Sequence, residues 1–550
     1  MGREIDRMEF TEQGYALFRA QLLDCLRVLE KVVATPGFGA APATVGAELE
    51  VYLVAERGRP ASVNEAVCKI LNDDRVALEV SRTNLEMNLT PVELTGRPFT
   101  TMAAETEQVL ARITTISLPR YGARPVPIGT LPTLTPSDVG EDALTDAPRY
   151  HALERAWDQR RPRPFTLQVG EGRAGLIQAQ SVALQGAACS YQVHLTVPPE
   201  RFCSTFNAAQ LATAPALAAA VNSPWLLGRR VWQESRIPLF ERGFGDQRGV
   251  NDRARVGFGR RWLSGGPLAA FKESVHGHDV LMPAVFPAGA GALAEREFPA
   301  LEELQTHLST VWSWNRPVYD AGGHLRIEFR ALPAGPTPID MAANSAFLIG
   351  LTLSLATGGK DVAEDLPFRY ARENFYRAAK EGLDAHLWWP SSTPGAAPRQ
   401  LSAPDLVREL LPAAQAGLES AGVCPEEVRA LLDLLDQRVT TGRTGAWWQT
   451  QAHRALSGST GDDIQAVPAA PAEGSCAPHR PDREGHPAQD VTTPPAHVRS
   501  TPRDSADTLA ADLTDRYITL CTRGAPVHTW ALPSHPHGVS DEPEHPPAGQ

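Results

Sequence analysis

The sequence predicts an α+β fold, in which a largely antiparallel sheet is packed with long helices. Short segments of alternating or continuous apolar residues indicate strands, and longer segments with apolar residues at steps of three and four indicate helices. These segments do not follow the regular strand–helix alternation that is typical of a parallel sheet. At 550 residues the chain also exceeds a typical single domain, so one large domain with additional segments, or two domains, is expected.

The N-terminal half of the chain contains strands and helices in mixed order. Leu22, Leu26, Leu29 and Val33 recur at helical spacing and predict an amphipathic first helix. The elements predicted after it are a strand at 46–54, two short strands within 76–94, a helix at 101–116 and a hairpin at 177–197 centred on Gly186.

The C-terminal half is predicted to be mainly helical. A helix is expected at 204–221, where Asn222-Ser223-Pro224 ends it, and a strand at Leu325–Ala331. Thr337-Pro338 is a typical helix start, because proline fits the first helical position. Helices are expected from there to about residue 456.

The composition divides the chain into a main domain and a tail. Residues 1–456 are predicted to form the main domain, including the N-terminal helix. No Phe, Tyr or Trp occurs between Trp448 and Tyr517, so residues 457–505 are expected to be disordered. Residues 506–532 contain a short amphipathic helix, which is expected to dock on the main domain because it is marginal alone. Residues 533–550 are expected to be a disordered tail.

The charge and the cysteine pattern narrow the class of protein. The formal net charge of -12 argues against a nucleic-acid-binding surface. The seven cysteines are scattered and odd in number, which fits neither a disulfide framework nor a zinc site. With no signal peptide recognised, the chain is expected in the cytoplasm. The longest apolar stretch, Met341–Ala356, is too short for a membrane span and is interpreted as a buried helix.

Two acidic motifs lie on predicted strands. Glu48 and Glu50 point to the same face of a strand about 7 Å apart, and they repel each other unless cations lie nearby. Glu86, seven residues after Glu79, lies among apolar residues, where an unpaired charge is costly. Either motif is also compatible with an ordinary solvated strand face.

Two further strands carry His and Arg side chains. His194 shares a face with Gln192 and Thr196, although a single histidine on a strand is more often structural than functional. Arg326, Glu328 and Arg330 alternate on one face, either as a surface ion-pair ladder or as a metal ligand beside guanidinium groups that bind phosphate.

A sheet that gathers these four strands would form an acidic cavity with an arginine rim. Oxygen ligands of this kind suit Mg²⁺ or Mn²⁺, which bridge nucleotide phosphates. The sequence has no Walker-type GxxxxGK[ST] motif, so bound ATP would be held by metal ions and arginines rather than by a glycine-rich loop.

The order of these motifs resembles the glutamate–cysteine ligase superfamily, in particular its bacterial carboxylate–amine ligase branch. The matching segments are Gly46–Glu50, Glu79–Pro91, His194 with its flanks, Asn222–Trp225, Arg326–Arg330 and the helix Ala371–Ala385. Together they span roughly residues 40–390. The resemblance implies a glutamine synthetase-like catalytic domain, in which the sheet forms a metal and ATP cavity. The chain departs from the family pattern at Gln192, where the family usually has the first histidine of His-x-His, and in the arginine-rich stretch 237–262.

Carried over position by position, the resemblance implies a set of site residues. The implied metal ligands are Glu48, Glu50, Glu79, Glu86, His194 and Glu328. The implied nucleotide- or phosphate-binding residues are Arg326, Arg330, Arg236 and His194, and the implied catalytic residues are Arg330 and Glu328.

The activity implied by the resemblance is ATP- and Mg²⁺-dependent formation of an amide through an acyl phosphate. Its substrates would be an amino-acid carboxylate, glutamate by default, and an amine, with no nucleic-acid or membrane partner. Homo-oligomerisation stays open. The alternatives are a phosphoryl-transfer enzyme with other substrates and a non-catalytic or regulatory binding protein on the same fold.

Overall fold

The computed structural model describes residues 9–161, 163–170, 175–245, 254–284, 298–358, 362–391, 393, 396–458 and 502–534. Within these residues the strands are β1 (Thr44–Val54), β2 (Val76–Leu78), β3 (Asn84–Asn88), β4 (Val92–Glu93), β5 (Arg124–Val126), β6 (Phe165–Gln168), β7 (Leu176–Ala179), β8 (Tyr191–Val197), β9 (Trp225–Leu226), β10 (Arg229–Arg230), β11 (Val256–Gly257), β12 (Trp312–Ser313), β13 (Asn315–Asp320), β14 (His324–Phe329), β15 (His386–Trp389) and β16 (Arg399–Ser402).

The α-helices surround one main sheet. They are α1 (Glu12–Val32), α2 (Asn64–Leu71), α3 (Pro98–Tyr121), α4 (Pro148–Asp158), α5 (Phe202–Ala220), α6 (Arg236–Gly243), α7 (Pro267–Gly277), α8 (Glu302–Leu308), α9 (Pro338–Thr357), α10 (Val362–Asp365), α11 (Phe368–Glu381), α12 (Ala403–Ser420), α13 (Pro425–Thr441), α14 (Gly445–Ser457) and α15 (Pro502–Thr522).

The main sheet is antiparallel and has the strand order β13-β14-β8-β1-β3-β2. Its central strand β1 also pairs with β4 near its start and with β5 near its end. Strand β13 lies at the edge, which explains how it accommodates Pro317, a residue without an N–H to donate to a further strand. The predicted α+β class with a largely antiparallel sheet is confirmed.

The two faces of the sheet differ in chemistry because side chains alternate along each strand. On β1, Val45, Ala47, Leu49 and Val51 are buried in the hydrophobic core, and α3, α5 and α9 contact the sheet on this side. The opposite face carries Glu48 and Glu50 and is therefore available for polar chemistry.

The apolar helix α9 begins as predicted, with Thr337 as N-cap and Pro338 at the first helical position. Among the described residues it alone has the length and hydropathy of a membrane span, and 72% of its most apolar window is buried inside the protein. It packs against α5 and α12. The interpretation of this stretch as a buried helix is therefore confirmed.

The C-terminal segment returns to the main domain. Tyr517 on α15 is buried, and its hydroxyl donates to the carbonyl of Pro127 and accepts from the Asn222 amide, both at 2.9 Å. Trp530 packs edge-on against Trp448 of α14. The C-terminal segment thus fills a groove of the main domain. The expected disorder of 457–505 concerns mainly residues 459–501, which lie outside the described residues, as do residues 535–550 of the expected tail.

The predicted hairpin at 177–197 is wrong. Strand β7 pairs with β6, whose alternation of buried Phe165 and Leu167 with exposed neighbours marks it as a hairpin partner. Residues 182–187, around Gly186, form a fully buried 3₁₀ turn, and β8 instead joins the main sheet between β1 and β14. The helical region after Thr337 is also interrupted, because β15 and β16 form a hairpin there.

Candidate active site

The polar face of the sheet gathers the acidic motifs through the register of β1. Glu50 lies opposite Glu86 on β3, while Glu48 lies opposite Gln192 on β8. His194 lies in turn opposite Glu328 on β14. Directly paired residues of antiparallel strands share a face, so four strands present these side chains to the same space.

The first cluster consists of Glu48, His194 and Glu328, all of them buried or nearly so. Their ligand atoms lie within 4.8 Å of one another, and Nε2 of His194 is 3.6 Å from Oε1 of Glu48. Burial lowers the pKa of His194 to about 4, although both carboxylates raise it. The imidazole is therefore neutral at physiological pH, which is the form that binds a metal ion.

The second cluster consists of Glu50, Glu79 and Glu86, again with ligand atoms within 4.8 Å of one another. Glu50 accepts hydrogen bonds from the Ser190 N–H (2.7 Å) and from the Gln192 side-chain amide (3.0 Å). Among the described residues, no Lys or Arg forms an ion pair with any of these three carboxylates. Their repulsion is therefore left for a bound cation to neutralise.

The acidity of the second cluster reflects this crowding. Burial and the neighbouring Glu79 raise the pKa of Glu50 to about 7. Burial raises the pKa of Glu86 well above its usual value, and Glu48 and Glu79 raise it further. Carboxylates that are buried together without a compensating cation fit a site for divalent cations, because such ions restore the ionised form.

Arginines balance the other side of the site. Arg316 on β13 donates from Nε (2.9 Å) and from a terminal nitrogen (2.6 Å) to Oε2 of Glu328. Arg330 contacts Oε1 of Glu328 and the side-chain carbonyl of Gln192. Burial opposes the ionised form of Glu328, but Arg316 and Arg330 outweigh it and hold its pKa well below the usual value.

Sequence reasoning missed Arg316 and assigned no role to Gln192. The signal for Arg316 was the Gly322-Gly323 turn, which makes residues 315–320 the hairpin partner of the predicted strand. The amide of Gln192 donates to Glu50 and accepts from Arg330, so it joins the acidic cluster to the arginine side. A histidine at this position would have to assign these two roles to its two ring nitrogens.

Arg326 and Arg236 lie further from the carboxylates. Arg326 is on the polar face of β14 and donates to Asp320 at 2.8 Å. Arg236, at the start of α6, is buried and donates to Glu234 and to the carbonyl of Ala331, both at 3.1 Å. It therefore supports the backbone next to Arg330, and direct contact with a nucleotide stays a prediction for both arginines.

The arginine-rich stretch 237–262 is not a continuous basic loop. Arg255 is buried, and its guanidinium donates to the backbone carbonyls of Thr310 and Asp279. Residues 246–253 lie outside the described residues, and the part before them is helix α6.

Comparison with known families identifies the chain. The model of glutamate-cysteine ligase family 2 matches residues 44–467, which is most of the sequence. The chain belongs to glutamate–cysteine ligase family 2. The matched range includes all six acidic and histidine side chains of the two clusters.

Solved structures share the fold of this family member at low sequence identity. A glutamate–cysteine ligase from Francisella tularensis in complex with AMP has a TM-score of 0.51 and 12% identity, covering 90% of this chain and 91% of its own. A bifunctional glutathione synthetase from Pasteurella multocida has a TM-score of 0.42 and 11% identity, covering 92% and 55%. A glutamine synthetase from Plasmodium falciparum has a TM-score of 0.27 and 10% identity, covering 77% and 76%. No curated protein matches the sequence significantly.

The predicted family and fold are thereby confirmed. The curled antiparallel sheet with long helices is a glutamine synthetase-like fold. Glutamate–cysteine ligase family 2 thus supplies the class of enzyme, and the chemistry of this member has to be argued from its own residues.

The crowded second cluster makes a prediction about stability. We expect Glu50→Gln to raise the melting temperature of the metal-free protein above pH 7 by roughly 2–6 °C. Between the usual pKa of a glutamate and about 7, folded Glu50 binds more protons than the unfolded chain, so its contribution to stability falls as the pH rises through this window. Thermal melts of both proteins at pH 5.5 and pH 8, with and without Mg²⁺, measure the effect.

The difference between variant and wild type should shrink at pH 5.5, where Glu50 is protonated in both states of the wild type less unequally. Added Mg²⁺ should stabilise the wild type more than the variant. Glu93→Gln, on exposed strand β4 of the same sheet, is the matched control and should leave the melting temperature unchanged. A destabilised Glu50→Gln protein at pH 8 would contradict the expectation.

Proposed function

We propose that the chain is an ATP-dependent carboxylate–amine ligase that forms an amide through an acyl phosphate. The observation that carries the proposal is the meeting of two three-residue ligand clusters and Arg330 on one face of the sheet. Membership of glutamate–cysteine ligase family 2 supports this reaction class. The AMP bound to the structural neighbour from Francisella tularensis supports a nucleotide at this face.

The residues fit divalent cations. Glu48, His194 and Glu328 would hold one ion, and Glu50, Glu79 and Glu86 would hold another. Oxygen-rich sets of this kind are typical of Mg²⁺ and Mn²⁺. Such ions, when bound, neutralise the phosphate oxygens of the nucleotide.

The arginine side of the site would receive the transferred phosphoryl group. Arg330 is oriented by Glu328 and Gln192, and Arg316 lies on the other oxygen of Glu328. Both guanidinium groups therefore stay charged and fixed beside the carboxylate clusters. A fixed positive charge stabilises the negative charge that develops on the equatorial oxygens during transfer without having to reorganise. We assign Arg330 this role, with Arg326 and Arg236 as further contributors.

The reaction then proceeds in two displacements. The substrate carboxylate attacks the γ-phosphorus of ATP, and ADP leaves with the electron pair of the broken P–O bond. The amine next attacks the acyl carbon, and phosphate leaves. In both steps the residues of this chain orient reactants and offset charge, which can account for most of a phosphoryl-transfer rate enhancement. No cysteine is required as a nucleophile.

ADP release tests the proposal directly. The purified full chain should release ADP from Mg·ATP with glutamate and an amine, and mass analysis should find the amide product. L-Cysteine is the first amine to test, and a panel of other amino acids and carboxylates follows. Binding of Mg·ATP without ADP release under any pair would favour a non-catalytic role, and ADP release without an amide product would favour phosphoryl transfer to another acceptor.

A further inference from the structure

A buried carboxylate beside Arg330 takes no part in the reaction described so far. Glu241 lies on α6, and its Oε1 accepts hydrogen bonds from Nε1 of Trp314 and from the hydroxyl of Tyr376, both at 2.8 Å. Its Oε2 has no hydrogen-bond or ion-pair partner within the described part of the chain. One oxygen of Glu241 is thus held by two aromatic side chains, while the other is available.

The position of Trp314 places Glu241 next to the active site. Asn315 pairs with Phe329, so Trp314 lies opposite Arg330, and its carbonyl accepts the Arg330 N–H at 2.8 Å. Opposed residues in antiparallel strands share a face, so the indole of Trp314 lies on the same face as the arginine of the site. Glu241 is therefore one side chain away from Arg330.

Aromatic rings enclose this carboxylate. Trp314 is 6.1 Å from Phe240 and 5.7 Å from Phe375 between ring centroids, and Phe375 meets Tyr376 edge-on at 5.3 Å. Burial raises the pKa of Glu241 to about 7, because the two hydrogen bonds and nearby Arg242 compensate only part of the desolvation. A carboxylate in such surroundings is costly, and a cation on its open oxygen would offset the cost.

We propose that Glu241 and the rings of Trp314, Tyr376 and Phe240 form the binding site for the ammonium group of the amine substrate. The carboxylate supplies the ionic contact, and the faces of the rings attract the same cation. The site would accept a primary ammonium compound, such as an amino acid or an alkylamine. The inference rests on the proposed ligase function, because it assigns the second substrate of that reaction.

The same residue can prepare the nucleophile. The ammonium donates one proton to Oε2 of Glu241, which leaves the nitrogen with a lone pair. This lone pair forms the C–N bond while the C–O bond to phosphate breaks, and phosphate leaves with that bond's electron pair and takes up the second nitrogen proton. The titratable and charged groups around Glu241 are Arg242 on its own helix, and Tyr376 with Arg372 behind it on α11.

Binding of ethylamine to the full-length protein tests the site without requiring turnover. Calorimetry at pH 8 with Mg²⁺ present should show ethylamine binding to the wild type and at least tenfold weaker binding to Glu241→Gln. The glutamine keeps an oxygen that accepts from Trp314 and Tyr376, so the fold should survive, as thermal melting will show. N-Ethylacetamide, which has a similar apolar group but no charge, should bind both proteins equally weakly.

Equal ethylamine binding by both proteins, or no binding by the wild type, would overturn the inference. Glu427→Gln is the matched control, because Glu427 is also buried and has a raised pKa but lies on α13. It should bind ethylamine like the wild type.

Kinetics separate this inference from the proposed function. Glu241→Gln should raise the KM for the amine at least tenfold while the KM for ATP stays within twofold. An unchanged amine KM in an active enzyme would overturn the amine site alone. A wild-type chain that releases no ADP with any substrate pair would count against the ligase proposal, and the ethylamine titration would still decide the role of Glu241.

Discussion

Glu48→Gln is expected to lower ADP release by about 10³-fold or more while the folded structure is kept. Glu48 is a buried member of the first cluster and lies 3.6 Å from His194. An amide in its place removes a negative charge and a strong oxygen ligand, so an ion at this cluster would lose affinity and position. Because the charge stabilisation of phosphoryl transfer depends on such positioning, the loss falls on turnover.

The measurement combines ADP release with Mn²⁺ titration followed by electron paramagnetic resonance. Both readouts should fall together in Glu48→Gln, and Glu93→Gln on the same sheet should change neither. The melting temperature reports whether the variant is folded. Wild-type ADP release by folded Glu48→Gln protein would refute the assignment of the first cluster as a metal site.

Arg330→Lys is expected to lower turnover by roughly 10²–10³-fold with little change in Mn²⁺ binding. The guanidinium of Arg330 contacts Glu328 and Gln192 at once, and this geometry depends on its planar fork. A lysine keeps the charge but cannot reproduce both contacts and still face a phosphoryl group. The loss should therefore appear in kcat more than in the KM for ATP.

Two variants distinguish this role from a general loss of charge. Arg326→Lys, on the same strand but paired with partly exposed Asp320, should lose less than tenfold. Arg330→Gln should lose more than Arg330→Lys, because it also removes a charge that balances Glu328. If Arg330→Lys retained wild-type kcat, the phosphoryl group would have to be stabilised elsewhere, and Arg316 would be the next residue to test.

The sequence predicted the site better than it predicted the sheet order. Spacing of two along a strand was sufficient to place Glu48 with Glu50, and Glu328 with Arg330, on common faces. The structure brings all six candidate ligands together in two clusters of three. Their metal-binding role stays a prediction, but their convergence follows from β-strand periodicity and from the order of the motifs.

The misses have physical causes in long-range pairing. The 177–197 hairpin failed because β8 finds its partners in β1 and β14, which are far away in sequence. Arg316 was overlooked because Pro317 argues against a strand, and only the edge position of β13 makes that proline acceptable. Glu241 was hidden by the arginines around it, since nothing in its local sequence indicates Trp314 or Tyr376 as partners.

The placement of Tyr517 has a consequence for folding during synthesis. Its hydroxyl joins Pro127 to Asn222, which lie 390 and 295 residues earlier in the chain. Asn222 in turn donates its N–H to Glu234, the partner of Arg236. At about 5–20 residues per second, a ribosome makes Tyr517 roughly 15–60 s after Asn222. During that interval the nascent domain holds an open groove beside its future active site, and it becomes complete only when the last helix has been made.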